Sequence, residues 1–421
     1  MTPLSMRLAL LIGLTLTVGT TLVSPVEAQD RNRGLPRYKI DPYTKNDPEI
    51  MEHLGYVSYG PFEFGQRGRD PLTTDILDEQ YPDEELLWVE TEHYRIGLGL
   101  ETDAVPQNPE RKALIRAELE RLKERGLPRV NPKARRLDRW LRLHLYAQRI
   151  EDHYAEMERL YGVTDETFPQ DAEQRMSWPG DYAGEGPFLG QKNKFLILLF
   201  EHQGPFEGFM RDFLGRRSKL GQHWNFIEVD SLIYTYCAES VEDDGRLKKD
   251  EPMHAHVIHS ITHQLVDGYM HYSYDLPVWI RSGLAHYFER QVTPKFNSFL
   301  RGEGSTPFGR VDWKFEKVAR KLIVKDEVTP FSALNRKREY AELTFEDHVL
   351  AWSRMQYLLT LGDEKFATFM RLSKTQVDKQ GQVSDNIVEG VRDALKEAYG
   401  MSPLTLDERW KAWALETYPA K

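Results

Sequence analysis

The stretch His256-Val257-Ile258-His259-Ser260-Ile261-Thr262-His263-Gln264-Leu265-Val266-Asp267 constrains the fold of this chain more than any other. Val257, Ile258, Ile261, Leu265 and Val266 form an apolar face broad enough to bury, so a helix is predicted from about Met253 to Gly268. A helix this apolar must rest on other structure. Before it, Phe195-Leu196-Ile197-Leu198-Leu199-Phe200 is a short apolar run suited to a central strand, and the stretch from Ile227 to Cys237 is β-rich again. Further upstream Tyr94, Ile96 and Leu98 fall on one side with polar or small residues between them, as a half-buried strand requires; His93 is then expected at the surface. Strands placed under one long helix give an α+β class.

His259 and His263 are four residues apart, so both imidazoles project from one helix face and can reach a common point. His256, three residues earlier, is near that face. Two histidines so spaced are the first two ligands of a catalytic zinc site when a glutamate directly after the first acts as general base. That position is held by Ser260. Near neutral pH a serine hydroxyl does not take a proton from metal-bound water as a carboxylate does.

The loop after this helix leads into Leu276-Pro277-Val278-Trp279-Ile280-Arg281-Ser282-Gly283-Leu284-Ala285-His286-Tyr287-Phe288-Glu289. With His259-x-x-x-His263, this phrase resembles the gluzincin branch of the zinc metallopeptidases, in particular the secreted bacterial proteins with a peptidase-like domain of that clan. The family pattern is histidine-glutamate-x-x-histidine, then eighteen residues, then a ligating glutamate in a Trp-Leu-x-Glu-Gly-Leu-Ala-x-Tyr phrase. Position by position, His259 and His263 match the first two metal ligands. Ser260 stands at the general-base position and Ser282 at the third-ligand position. The resemblance implies a thermolysin-like fold, with a small mixed sheet packed on the motif helix and a mostly helical C-terminal lobe after it.

Both carboxylates of that pattern are absent, so the resemblance implies a degenerate centre: no base to activate water and no anionic third ligand to hold the ion. The expectation is an inactive, peptidase-like protein whose pocket stays folded without zinc because the Ser260 and Ser282 hydroxyls satisfy the neighbouring imidazoles. The competing reading is a metal-dependent peptidase with rearranged ligands. Ser282, His286 and Glu289 share a helix face, so His286 or Glu289 is a candidate to replace the missing ligand after a shift of about one turn, ~5.4 Å. Asp267, one turn beyond His263, is a candidate to orient an imidazole from behind; His271 has no assigned role. A third reading places serine chemistry at Ser260 or Ser282 beside His263 or His286.

Arg7, the apolar run Leu8 to Val18 and Val26-Glu27-Ala28 read as a signal peptide over residues 1–28, which implies a secreted or periplasmic protein with no integral membrane segment after cleavage. The lone Cys237 rules out an internal disulfide, so stability rests on core packing. A net charge of −10 argues against a nucleic-acid partner. A peptide or an envelope protein as ligand is what the resemblance implies, through the inherited cleft; oligomeric state is not legible. Residues 29–85, punctuated by Gly60-Pro61 and Asp70-Pro71 without any sustained period, read as an extended or partly disordered leader. A peptidase-like domain over 86–305 and a helical lobe over 306–421 complete the expected organisation. Within the former, a helix is expected from about Ala134 to Tyr161 with Leu137, Leu141, Leu145, Tyr154, Met157 and Tyr161 as a buried stripe, and the basic side chains between Arg125 and Arg149 read as lining a solvated face.

Overall fold

The structure, a computed structural model, describes residues 32–168, 184, 186–227, 229–270, 272, 276–299, 314–374 and 386–420. The expected signal peptide and His271 lie outside them. Among the described residues no helix is long and apolar enough to cross a membrane.

The segment read as an extended leader is folded from residue 32 onward, into α1 (Pro48–His53), the hairpin β1 (Glu63–Arg67) and β2 (Asp70–Thr73), and α2 (Thr74–Gln80). Its apolar residues are buried one at a time rather than at a period: Leu54, Phe64, Leu72 and Leu77 are all at most 1 % exposed. Its polar anchor is Asp41, which accepts hydrogen bonds from the hydroxyls of Thr44 and Tyr59 and lies 3.2 Å from His144 Nε2. Burial opposes charge on Asp41, but His144 and these donors outweigh it and bring the carboxyl down to about 2.

The main sheet has five strands. β3 (Leu87–Glu90) and β4 (Tyr94–Leu98) form an antiparallel hairpin; a two-residue pair, β5 (Asp103–Ala104) with β6 (Arg136–Leu137), lies apart from it. The helices α3 (Pro109–Glu124) and α4 (Arg139–Tyr161) carry the chain to β7 (Phe195–Phe200), and α5 (Gln203–Asp212) precedes β8 (Gln222–Phe226) and β9 (Ser231–Cys237). The strand order is β3-β4-β7-β9-β8, with β7 parallel to both of its neighbours and both edge strands antiparallel. The apolar run of β7 is thereby explained: all six residues are at most 1 % exposed because the strand is covered on both faces. The fold is α+β. Three details differ from expectation. The strand near Tyr94 is buried on both faces except at Arg95, the β-rich stretch begins at Ser231, and β8 was not foreseen because an edge strand with polar and aromatic residues has no clear alternation.

α4 buries the stripe expected of it, Leu141, Leu145, Tyr154, Met157 and Tyr161, but its arginines are not all solvated as their charges suggested. Arg142 and Arg149 are 1 % and 4 % exposed. Arg149 holds Asp250 through two 2.9 Å hydrogen bonds and Glu118 of α3 through two more. Asp250 opens α6 (Asp250–Gly268), the helix of the histidines, so this buried pair fixes its N-terminus and puts a carboxylate where the helix dipole favours one. The other end of α6 rests on the sheet: Gln264 Nε2 donates to the carbonyls of Leu196 and Leu232 at 3.1 and 2.5 Å. α7 (Val278–Val292) packs beside α6, and beyond it lie α8 (Phe315–Val324), α9 (Phe331–Leu334), α10 (Phe345–Thr360), α11 (Asp363–Lys374), α12 (Ile387–Tyr399) and α13 (Pro403–Thr417), with no strand among the described residues after 314. Contact between α7 and α10 is close enough that a Cβ on Gly283 would lie 2.9 Å from the carbonyl oxygen of Ala351.

Candidate functional site

α6 and α7 bring the histidines together in the interior. His259, Ser260, Ser282, His286 and Glu289 are 0 % exposed and His263 is 2 % exposed. The rings of His259 and His263 have centroids 5.0 Å apart, as helical spacing predicts, but their polar contacts diverge. Glu289 Oε2 lies 3.3 Å from His259 Nδ1 and 3.1 Å from His286 Nδ1, whereas His263 Nδ1 meets the Tyr340 hydroxyl at 3.0 Å. Among the described residues, His259, His286 and Glu289 form a group whose ligating atoms all lie within 4.8 Å of one another, and His263 is not part of it.

Neither serine acts as the family's carboxylate would, and only one acts as the fossil pocket was expected to. Ser282 Oγ is 2.7 Å from His348 Nδ1, a fully buried ring on α10, so this hydroxyl does meet an imidazole. Ser260 does not: its hydroxyl donates to the carbonyl of His256, one turn back in its own helix, at 2.8 Å. The Ser260 carbonyl in turn accepts from His223 Nε2 on β8 at 2.8 Å, which ties the edge strand to the motif helix. Asp267 differs from expectation as well: instead of orienting an imidazole it is bound by the Arg281 guanidinium, which also lies 5.1 Å over the Tyr340 ring.

Zinc, which the resemblance implies, does not fit the family's positions in this chain. The set would be His259, His263 and Ser282; Ser282 is a neutral hydroxyl already engaged with His348, which leaves that third position without an anionic ligand. The carboxylate that the structure does supply is Glu289. Burial raises its pKa, but His259 and His286 overcome that and bring it down to about 2. Its second oxygen, Oε1, accepts from the Ser298 amide at 2.6 Å, and the Ser298 hydroxyl lies 2.9 Å from His256 Nδ1. Phe299 covers the group, its ring 5.2 Å from both His286 and His348.

His348, Tyr340, Ser298 and His223 were not singled out from the sequence. Each comes from a separate element, and no spacing rule connects them to the motif. The other miss is His93, which is 8 % exposed rather than at the surface. It is held by Glu151 at 2.6 Å and Asp165 at 3.1 Å and stacked on Tyr154 with centroids 3.8 Å apart. Burial works against charge there, yet the two carboxylates carry the imidazole up to about 10.

No curated protein and no solved structure matches the chain. Residues 253–378, a span that includes α7 and His348 and most of α6, match a family model described as "Protein of unknown function (DUF1570)".

Proposed function

We propose that the chain is an exported, catalytically inactive relative of the gluzincin metallopeptidases that holds an extended peptide, or an extended segment of an envelope protein, along β8. The observation that carries this reading is the engagement of the two hydroxyls that stand where hydrolysis needs carboxylates. Ser260 bonds its own helix backbone and Ser282 bonds His348, so neither is available to activate water. Glu289 is no substitute: a carboxyl brought down to about 2 and already accepting an amide hydrogen bond is a weak proton acceptor. The finer architecture, a thermolysin-like arrangement, is supported by the motif helix lying on a mixed sheet and by the helices that follow it.

Peptide binding is supported by β8. It is an edge strand, and extended chains add to such edges through main-chain hydrogen bonds. A groove of about 710 Å³ runs beside it, lined by Arg216, Arg217, Gln222, His223, Trp224 and Tyr272, which favours a segment with an acidic residue. The test is fluorescence anisotropy with a labelled pool of randomised extended peptides. The wild-type chain is expected to bind, and Trp224→Ala to weaken binding by about tenfold, ~1.4 kcal/mol. No anisotropy change with the wild-type protein at millimolar concentration rejects the reading.

A further inference from the structure

We infer that His259, His286 and Glu289 form a buried three-ligand site for a divalent transition-metal ion, with His286 one turn and Glu289 two turns along α7 from Ser282, where the family resemblance would place the third ligand. The site does not depend on the peptide-binding reading: a sealed ion needs no cleft and no catalysis. It replaces the expectation of an ion-free pocket.

An ion bound tetrahedrally with bonds of ~2.0–2.1 Å sets neighbouring ligand atoms ~3.3–3.4 Å apart. Glu289 Oε2 lies 3.3 Å from His259 Nδ1 and 3.1 Å from His286 Nδ1, and one ligand atom from each of the three residues lies within 4.8 Å of the others. His286 and Glu289 are three residues apart on one face of α7, and the Glu289 carboxylate reaches across to His259 on α6, so a set built from His259 and α7 needs no ligand from the Ser282 position.

The supporting shell is in place. Glu289 Oε1 is fixed by the Ser298 amide, which leaves Oε2 directed at the two imidazoles, and Ser298 is itself tied to His256. Two imidazoles and one carboxylate suit zinc, cobalt or nickel. Calcium and magnesium ask for a shell of oxygens, and copper(I) asks for sulfur. His286 is enclosed by Phe299 and Phe315, whose ring centroids are 5.2 and 5.5 Å away, and all three ligands are fully buried, so the ion would sit away from bulk solvent.

The experiment is chelator-free purification, loading with Zn²⁺ or Co²⁺, desalting and elemental analysis. Roughly one ion per chain is expected in the wild-type protein and in His263→Ala, with affinity reduced roughly tenfold to a hundredfold or more in His286→Ala and Glu289→Gln. Wild-type protein that retains neither metal overturns the inference, as does retention in His286→Ala with loss in His263→Ala. If the α7 variants do not fold, anomalous diffraction at the zinc edge from Zn²⁺-loaded wild-type crystals decides. A peak between the three side chains supports the site; no peak there overturns it. Peptide hydrolysis or its absence leaves this outcome unchanged, so the two readings fail separately.

Discussion

Replacing His93 by glutamine should remove the part of this protein's stability that its imidazole supplies at low pH and loses between pH 6.5 and 10. In the native fold the imidazole is brought up to about 10 against burial by Asp165 and Glu151, while in the unfolded chain it returns to ~6.5. The folded state therefore holds one more proton than the unfolded state throughout that window, so stability falls as pH rises. The full contribution is present below ~6.5 and is gone above about 10. Taken at face value, that interval corresponds to about 5 kcal/mol. The Glu151 and Asp165 side chains are 18 % and 30 % exposed, and solvent screening brings the expected effect to about 2–3 kcal/mol. Other charged or titratable groups near the imidazole include Glu92, whose carboxylate lies within 4.8 Å of a ring nitrogen, Tyr154, stacked on it, and Glu158. Tyr154 is pushed far above the window by burial and Asp165, so it does not titrate there. The assay is urea unfolding of wild type and His93→Gln at pH 6, 7, 8, 9 and 10. The gap between the two should be largest at pH 6 and narrow by about 2–3 kcal/mol by pH 10, leaving only the lost stacking on Tyr154. A gap that stays constant across the series refutes the reasoning.

Three further perturbations probe the scaffold of the site. Arg149→Met removes the partner of the buried Asp250 carboxylate at the start of α6 and should destabilise the fold by about 3–5 kcal/mol in urea titration. Gly283→Ala places a Cβ 2.9 Å from the Ala351 carbonyl oxygen and should cost about 1–3 kcal/mol by forcing α7 away from α10. Ser282→Ala takes from His348 Nδ1 its 2.7 Å contact in the interior and should cost about 1–3 kcal/mol, measured the same way.

The parts of the molecule that were legible in the sequence are those that bury a continuous pattern. The run Phe195–Phe200 reads as a central strand because both of its faces are covered, and α6 reads as a helix because its apolar residues recur at helical spacing. Residues 32–85 were illegible for the opposite reason. They are held by two buried carboxylates, Asp41 and Glu84, and by isolated apolar anchors, which leave no period. Arg142 and Arg149 misled because a charge on a helix looks solvated until its buried partner is known. At the site, spacing was enough to put His259 beside His263, and His286 beside Glu289, since each pair lies on one helix. It could not say which pairs meet across helices. His348 is 66 residues from Ser282 and Tyr340 is 77 from His263, and contacts at that separation are set by how α10 and the segment before it pack.

Incubation of the zinc-supplemented wild-type chain with a complex peptide pool, followed by mass spectrometry of the products, bears most directly on the inactive centre. Two engaged serines in place of carboxylates predict no new termini beyond those of a protein-free control. Sequence-selective cleavage that disappears in His259→Ala and in the presence of a chelator would contradict the account and establish a metallopeptidase with rearranged ligands.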